Sequence, residues 1–461
     1  MAPDRATALR PAGLRPVRFR RVPRKEDGMS RSYRFFPDIT PEDLERQQLS
    51  GLQWTVAHAW QGNAFYRERL GRAGLDPQDI SSLEDLQRLP LTTAEDLKNG
   101  YPLPFLSVPQ KQVVRVHASS GTTGKRKILA YTHTDIQTWQ TMLARCYELA
   151  GLDEEDRVQI AVGYGLWTAG VGFQLGCEHF GAMALPLGPG NLEIQLQFLT
   201  DLKPTCLCST ASMALLLAEE AERHNLQDQI SLRTVIFGAE PHTPKMRARV
   251  QEVFGLEDTF DIPGLTELFG PGTGLECHLH TGLHYWADLF ILEIIDPNTL
   301  QPVEPGEVGE MVVTTLNKQA APLIRYRTRD LSRLVPGRCD CGLALPRHDR
   351  ILGRSDDMFI FRGVNIYPGQ IAEVLETFAD VSSEYQIVLE RRHGLDVMLL
   401  KVERHPRSSA DLDQNLAQAI SLALRKHLMV RSEVQLVDPG DLPRTFAKSR
   451  RLLDNRDLEN G

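Results

Sequence analysis

The chain of 461 residues contains no uninterrupted apolar run near the ~20 residues that a membrane-spanning helix needs, because charge or glycine breaks every candidate. No membrane partner is expected. Cysteine is sparse and odd in number, seven residues scattered as singles plus the pairs Cys206/Cys208 and Cys339/Cys341, which excludes the dense disulfide framework of a small secreted domain. A reducing, cytoplasmic setting is expected. Positive charge is in short supply too, with 52 Lys and Arg against 60 Asp and Glu and a net charge of −8, and this argues against a nucleic-acid partner. At 42% hydrophobic and 24% charged, with 35 Gly and 28 Pro, the composition excludes disorder as the dominant state. The length suggests roughly three domain-sized units.

Residues 1–25 hold eight Arg and Lys against the single Asp4, with no apolar core long enough for a secretory signal. An Arg-rich, acid-poor start suits a mitochondrial transit peptide, but the plainer reading is a disordered basic tail over 1–28, with Met29 as the true beginning. After it, Thr40-Pro41-Glu42-Asp43 reads as a helix start, with Thr as N-cap and Pro and acids in the first turn. Leu49, Leu52, Val56 and Trp60 follow at helical spacing. From about Arg157 the texture changes to short β-rich runs, 158–162, 182–187, 205–209 and 234–237, with helices expected over 191–202, 211–225 and 244–254. Such alternation implies right-handed crossovers and a largely parallel, two-sided sheet.

Beyond Gly282, strands expected over 289–296 and 310–316 are joined by turn-rich segments, so a smaller antiparallel sheet should pack on the first. A polar link at 353–357 precedes a helix over 368–378, strands over 384–389 and 397–402, and a helix over 411–428. The expected fold class is α/β: a large N-terminal domain with a mostly parallel, helix-flanked sheet plus a smaller β subdomain, then a small mobile α+β domain. The boundaries drawn are 29–354 for the first domain and 355–461 for the second. No internal repeat is visible.

The segment Ser119-Ser120-Gly121-Thr122-Thr123-Gly124-Lys125 packs hydroxyls, exposed amides and a cation, the groups that wrap a polyphosphate. It is not a Walker loop, which needs four residues between its glycines and a Ser or Thr after the Lys. Alone, such a run is more often a flexible loop. Gly238-Ala239-Glu240-Pro241 closes one expected strand and Gly264-Leu265-Thr266-Glu267 follows another apolar run. Open parallel sheets bind ligands at the carboxyl ends of their strands. Taken singly, each is as well explained by a turn.

In order along the chain come these three segments, then Arg325-Tyr326-Arg327-Thr328-Arg329-Asp330, Gly353-Arg354-Ser355-Asp356-Asp357 and Pro443-Arg444-Thr445-Phe446-Ala447-Lys448. This ordered set resembles the adenylate-forming superfamily and, within it, the phenylacetate–coenzyme A ligase family, from about Tyr33 to about Asp457. The resemblance implies ATP, Mg²⁺ and coenzyme A as cofactors. Ser119 to Lys125 would hold the β- and γ-phosphates, Thr266 the α-phosphate and Glu267 the magnesium, with the Gly238–Pro241 turn beside the nucleotide. Asp330 would accept the ribose hydroxyls and Arg354 would brace the ribose or phosphate, where residue chemistry alone favours an exposed ion pair between Asp330 and a neighbouring Arg. Lys448 would be the mobile catalytic lysine, Asp356 the hinge, and Tyr164, Trp167, Ala211 and Gly238 the lining of an aromatic-acid pocket. Departures are Pro263 for the aromatic residue that stacks on adenine, Ala447 for a Gly before the lysine, Trp167 for a common Phe and His242 for a common Trp.

Cys277, His278, His280 and His284 lie within eight positions, and with Cys339 and Cys341 they offer the thiolates and imidazoles that structural zinc selects. The expected Zn²⁺ ligands are Cys277, His284, Cys339 and Cys341, with free thiols as the open alternative. The function implied is ATP-dependent ligation of an aromatic acid, phenylacetate first, to coenzyme A through an acyl-AMP. The rivals are adenylyl transfer to a deazaflavin coenzyme, loading of a separate carrier protein, and a catalytically dead binding protein, which the joint retention of Glu267, Asp330 and Lys448 disfavours. A homodimer is compatible with the sequence.

Overall fold

The helix Pro41–Gly62 begins where Thr40 predicts. The Thr40 hydroxyl accepts the Asp43 amide at 3.1 Å while the Asp43 carboxylate accepts the Thr40 amide at 3.2 Å, a reciprocal cap that satisfies two orphan donors. Its inward face buries Leu52, Val56 and Ala59. The structure is a computed structural model that describes residues 33–119, 126–240, 242–362, 364–392, 395–443 and 451–456. The basic stretch 1–28, residues 120–125, Pro241 and the segment with Phe446, Ala447 and Lys448 lie outside the described residues.

Five strands form the central parallel sheet in the order Met183–Leu185, Arg157–Ala161, Cys206–Thr210, Thr234–Gly238 and Asp258–Ile262. Side chains alternate across it, as the two-residue period requires. Val158, Ile160, Cys206, Cys208, Ile236 and Phe260 enter one core with the helices His133–Leu149 and Ala169–Phe180. Leu207, Val235 and Phe237 enter a second core, under the helices Leu192–Asp201, Ala211–Arg223 and Pro244–Phe254. The Cys206/Cys208 pair is thus two buried free thiols on one sheet face.

The expectation of one smaller antiparallel sheet needs correction. Two four-stranded sheets are present: Gly274–Glu276, Leu283–Tyr285, Arg347–His348 and Leu334–Val335 in one, and Phe290–Ile295, Gly309–Thr315, Tyr326–Ser332 and Gly353–Arg354 in the other. The chain leaves one for the other through a turn in which the Leu289 and Phe290 amides both donate to the Trp286 carbonyl, at 2.8 and 3.1 Å. A turn that tight ends the first ladder.

Near the C-terminus a mixed sheet runs in the order Glu433–Val437, Leu395–Arg404, Val381–Arg392 and Leu452–Asp454, covered by the helices Pro368–Glu376 and Asp413–Leu428. Its central hairpin extends well beyond the short strands expected at 384–389 and 397–402. Phe361, Ile371, Ile387, Leu400, Ile420 and Leu424 belong to a core of its own. Among the described residues, no helix is long and apolar enough to cross a membrane.

Candidate active site

The sheet register sets several strand ends at one level: Ala161 beside Ser209, Thr210 beside Gly238, and Gly238 beside Ile262. Tyr164, Trp167, Ala211, Gly238 and the Gly264–Glu267 segment therefore leave the sheet from the same carboxyl edge, where open α/β sheets bind ligands. Gly238 is required there, because an added Cβ would lie 2.2 Å from the Ile262 carbonyl oxygen. Ala239 then takes φ +71°, a left-handed conformation uncommon for a residue with a side chain. That turn aims Glu240 at Ser212, whose amide donates to the Glu240 carboxylate at 2.6 Å and whose hydroxyl donates as well. Glu240 ties the turn to the start of the helix Ala211–Arg223.

Tyr164 is half-buried against Gly170 and Gly188, and burial pushes its pKa up. Its hydroxyl oxygen is buried without a hydrogen-bond partner among the described residues. Trp167 packs over Gly163. His242 stands edge-on to Phe237 with ring centroids 4.7 Å apart, and the Pro263 carbonyl accepts the Gly272 and Thr273 amides.

Both ends of the Ser119–Lys125 segment are fixed although 120–125 lie outside the described residues. The strands before and after it pair antiparallel, Ala118 opposite Ile128, and the Ser119 amide donates to the Lys127 carbonyl at 3.1 Å. The Ser119 hydroxyl is buried and lacks a partner among the described residues.

Glu267 is buried in a short 3₁₀ turn, Thr266–Leu268. Its carboxylate receives the Lys127 ammonium and the Tyr326 hydroxyl, the latter at 3.1 Å, both on Oε1. Burial is the largest single influence and raises its pKa, but the Lys127 charge together with the hydrogen bonds from Lys127, the backbone and Tyr326 outweighs it and leaves the carboxyl below its ordinary value. Such a carboxylate stays ionised and suits a hard cation such as Mg²⁺. From below, the fully buried Lys318 donates to the Glu267 carbonyl at 2.6 Å, and burial pushes its pKa down to about 8 against the pull of Asp135 and Glu267. The Tyr131 hydroxyl donates to the Thr266 carbonyl at 3.0 Å. Two side chains thus hold this turn through its backbone.

Asp330 pairs with Arg354 at 3.0 Å, and Arg354 also grips Asp356 through two bonds of 2.8 and 3.0 Å. Among the described residues the ion-pair partner of Asp330 is Arg354, not an Arg beside it in the chain. Neighbours in a strand point to opposite faces, so Arg327 and Arg329 turn together to buried Glu310, while Arg354 sits opposite Asp330 in the ladder. The Ser355 hydroxyl also donates to Glu310, at 2.8 Å. Arg325 forks onto Glu293 at 2.9 and 3.1 Å. The sequence reading missed Lys127, Lys318, Tyr326 and Glu310; its one available signal was a charged residue inside an apolar run, as Glu310 is in Gly309–Thr315.

In the neighbouring sheet, Cys277, His284, Cys339 and Cys341 place their donor atoms within 4.8 Å of one another. Cys277 Sγ and Cys339 Sγ are 3.7 Å apart, and Cys341 Sγ lies 3.3 Å from His284 Nε2. His284 Nδ1 faces the Leu345 carbonyl at 2.8 Å, which leaves Nε2 as the ligating nitrogen. Hydrogen bonding from Cys341 draws the Cys277 thiol well below its ordinary pKa, with burial opposing and His284 assisting. Three thiols and one imidazole in this arrangement fit zinc. His280 turns instead to Asp258 and Glu276, at 3.0 and 3.2 Å, and exposed His278 is also outside the cluster.

The AMP-binding enzyme family matches residues 75–317, and the AMP-binding enzyme C-terminal domain matches residues 363–456. A phenylacetate-coenzyme A ligase of Escherichia coli (strain K12) is 41% identical over 424 residues, covering 90% of this chain and 96% of that protein. Among solved structures, a 2-hydroxyisobutyryl-CoA ligase in its postadenylation state superposes with a TM-score of 0.83 at 29% identity, covering 91% of each chain. The same ligase in its thioesterification state, with the same coverage and identity, gives 0.66. By fold, site and sequence, the chain belongs to the AMP-binding enzyme family, within its phenylacetate–coenzyme A ligase branch of acid–thiol ligases.

Proposed function

We propose that this chain joins an aromatic carboxylic acid, phenylacetate foremost, to coenzyme A in two steps at one site. The carboxylate attacks the α-phosphate of ATP to give acyl-AMP and pyrophosphate, and the thiol of coenzyme A then displaces AMP to give the thioester. The observation that carries this reading is the meeting of Glu267, the 238–240 turn and half-buried Tyr164 and Trp167 at one sheet edge, in a chain of this family.

Thr266 serves the α-phosphate, and residues 119–125 serve the β- and γ-phosphates. Glu267 would hold Mg²⁺, which would supply neutralising charge where pyrophosphate leaves. Lys127, already against Glu267, contributes a further cation at that edge. Asp330 offers two acceptor oxygens to the ribose hydroxyls and Arg354 braces it. Lys448 bridges the attacking carboxylate and the α-phosphate. Tyr164, Trp167, Ala211 and Gly238 line the acid pocket, with the Tyr164 hydroxyl, unpartnered among the described residues, its polar point.

The separate core of the C-terminal sheet supports a division into 29–354 and 355–461 with the hinge at Asp356, beside its ion pair to Arg354. Cys277, His284, Cys339 and Cys341 would hold a structural zinc, which would contribute to folding. The cytoplasm is the setting that suits free thiols.

A panel of aryl and aliphatic acids, assayed for AMP and pyrophosphate with and without coenzyme A, tests the reading. Acid-dependent AMP release that needs coenzyme A, with phenylacetate among the better acids, is expected. Equal turnover of acetate or octanoate and none of aryl acids would overturn the substrate class. AMP transferred intact to a second molecule would favour the adenylyltransferase instead.

A further inference from the structure

The helix Pro244–Phe254 follows directly on the 238–240 turn, and its second residue, Lys245, does not serve that site. The half-buried Lys245 ammonium reaches across to the C-terminal sheet unit and donates to the carbonyls of Leu375, Phe378 and Val381, the first and last at 3.3 Å. Leu375 lies in the last turn of the helix Pro368–Glu376, where carbonyls lack intrahelical donors and the helix dipole is negative. Glu376 and Asp380 add two carboxylates to the groups facing Lys245. Seven residues further along the same helix, and so on the same face, Glu252 pairs with Arg407 of the C-terminal unit. One helix face of the larger part thus carries a cation and an anion, each meeting its opposite on the smaller part.

These contacts belong to one orientation of the two parts. A single ligase, at unchanged coverage and identity, superposes on this chain better in its postadenylation state than in its thioesterification state. Identical sequences differ in score only through arrangement. We propose that Lys245 is a positioning residue that holds the C-terminal unit in the adenylating orientation, and that it releases the carbonyls of residues 375–381 when the unit turns for thioester formation. This rests on the two-step reading above. Among the described residues, Lys245 touches neither the nucleotide-binding segments nor Glu267, so it acts on the balance between the half-reactions and on no reacting atom.

Two half-reactions and one crosslink test it. In Lys245→Ala, acid-dependent pyrophosphate exchange should fall about tenfold, equivalent to about 1.4 kcal/mol of barrier, while thioester formation from supplied acyl-AMP holds or rises. Lys245→Arg, which keeps a cationic donor, should restore exchange. Equal loss of both half-reactions in folded Lys245→Ala, or loss of neither, would overturn the proposal. Orientation is read without turnover in the double variant Glu252→Cys, Arg407→Cys, treated with a short bismaleimide; the native cysteines are buried except for half-buried Cys341, and a control lacking the new pair reports any reaction there. The pair should crosslink several-fold more slowly once Lys245→Ala is added, and the crosslinked protein should keep exchange and lose thioester formation. An unchanged crosslinking rate, or a crosslinked protein that forms thioester normally, would overturn it. A wild type silent in both half-reactions would instead overturn the functional reading, with the crosslinking rates still deciding the role of Lys245.

Discussion

Removing the thiols of Cys339 and Cys341 offers a quantitative test of the zinc site. Tetrahedral zinc with Zn–S near 2.3 Å and Zn–N near 2.0–2.1 Å sets ligand edges of about 3.8 Å between two sulfurs and about 3.6 Å between sulfur and nitrogen. The corresponding distances are 3.7 and 3.3 Å, so the cluster needs little rearrangement to close around an ion. A preformed site binds the folded chain alone, and ion at about 1,000 times its dissociation constant adds about 4 kcal/mol of stability. With about 2 °C per kcal/mol for a folded unit of this size, the melting step of the larger part, which holds the cluster, should come about 8 °C lower in the double variant Cys339→Ser, Cys341→Ser. Metal analysis of the wild type should give about one zinc per chain, and the variant should give none. Cobalt exchanged into the wild type should show the sulfur-to-metal charge transfer of a thiolate-rich tetrahedral centre. Protein purified without chelator that contains no metal, and in which the melting step of the larger part is unmoved by added zinc or by chelation, would leave these residues as buried thiols.

Two further outcomes rest on single residues. Gly238→Ala places a methyl group 2.2 Å from the Ile262 carbonyl oxygen; since a neighbouring strand's backbone cannot yield cheaply, a loss of about 1–3 kcal/mol is expected in urea denaturation, and an unchanged midpoint would refute the close approach. His348 is buried, and burial lowers its pKa from the ordinary 6.5 to about 4. The unfolded chain then binds the proton more readily, so stability is full above about pH 6.5 and declines as pH falls towards 4, by up to about 3 kcal/mol from this residue. Melting curves from pH 7.5 to 4.5 should fall less steeply for His348→Gln, and parallel curves would exclude His348 as a source of the slope.

What could be read from the sequence was whatever is written locally. The Thr40 cap, the helix Pro244–Phe254 and the strands of the parallel sheet follow from residue order and periodicity. The four zinc-ligand candidates were also legible, because His and Cys seldom cluster by chance. Pairings across the fold were not. Lys127 meets Glu267 140 positions away, and Lys318 meets the carbonyl of the same residue across 51. The Arg-rich run misled in detail, because proximity along a strand places neighbours on opposite faces; Glu310 takes Arg327 and Arg329, and Asp330 is left to its cross-strand neighbour Arg354. The split of the antiparallel strands into two sheets turned on the carbonyl of Trp286 accepting two amides. No periodicity announces such a turn.

The core around Ile371, Ile387, Leu400 and Ile420 draws all its buried members from residues 359–430 and shares none with the other two clusters. The smaller part therefore holds its own reserve of folding free energy, joined to the rest by polar contacts such as those of Lys245 and Arg407. Calorimetry of this chain should resolve two heat-absorption steps, so that no single melting temperature describes it. Slow amide exchange in the strand Val381–Arg392 would report the local opening of that module and say nothing of the nucleotide-binding sheet. A substitution that empties the smaller core would leave behind a chain still folded around the sheet from Arg157 to Ile262, with the part that should carry Lys448 unstrung.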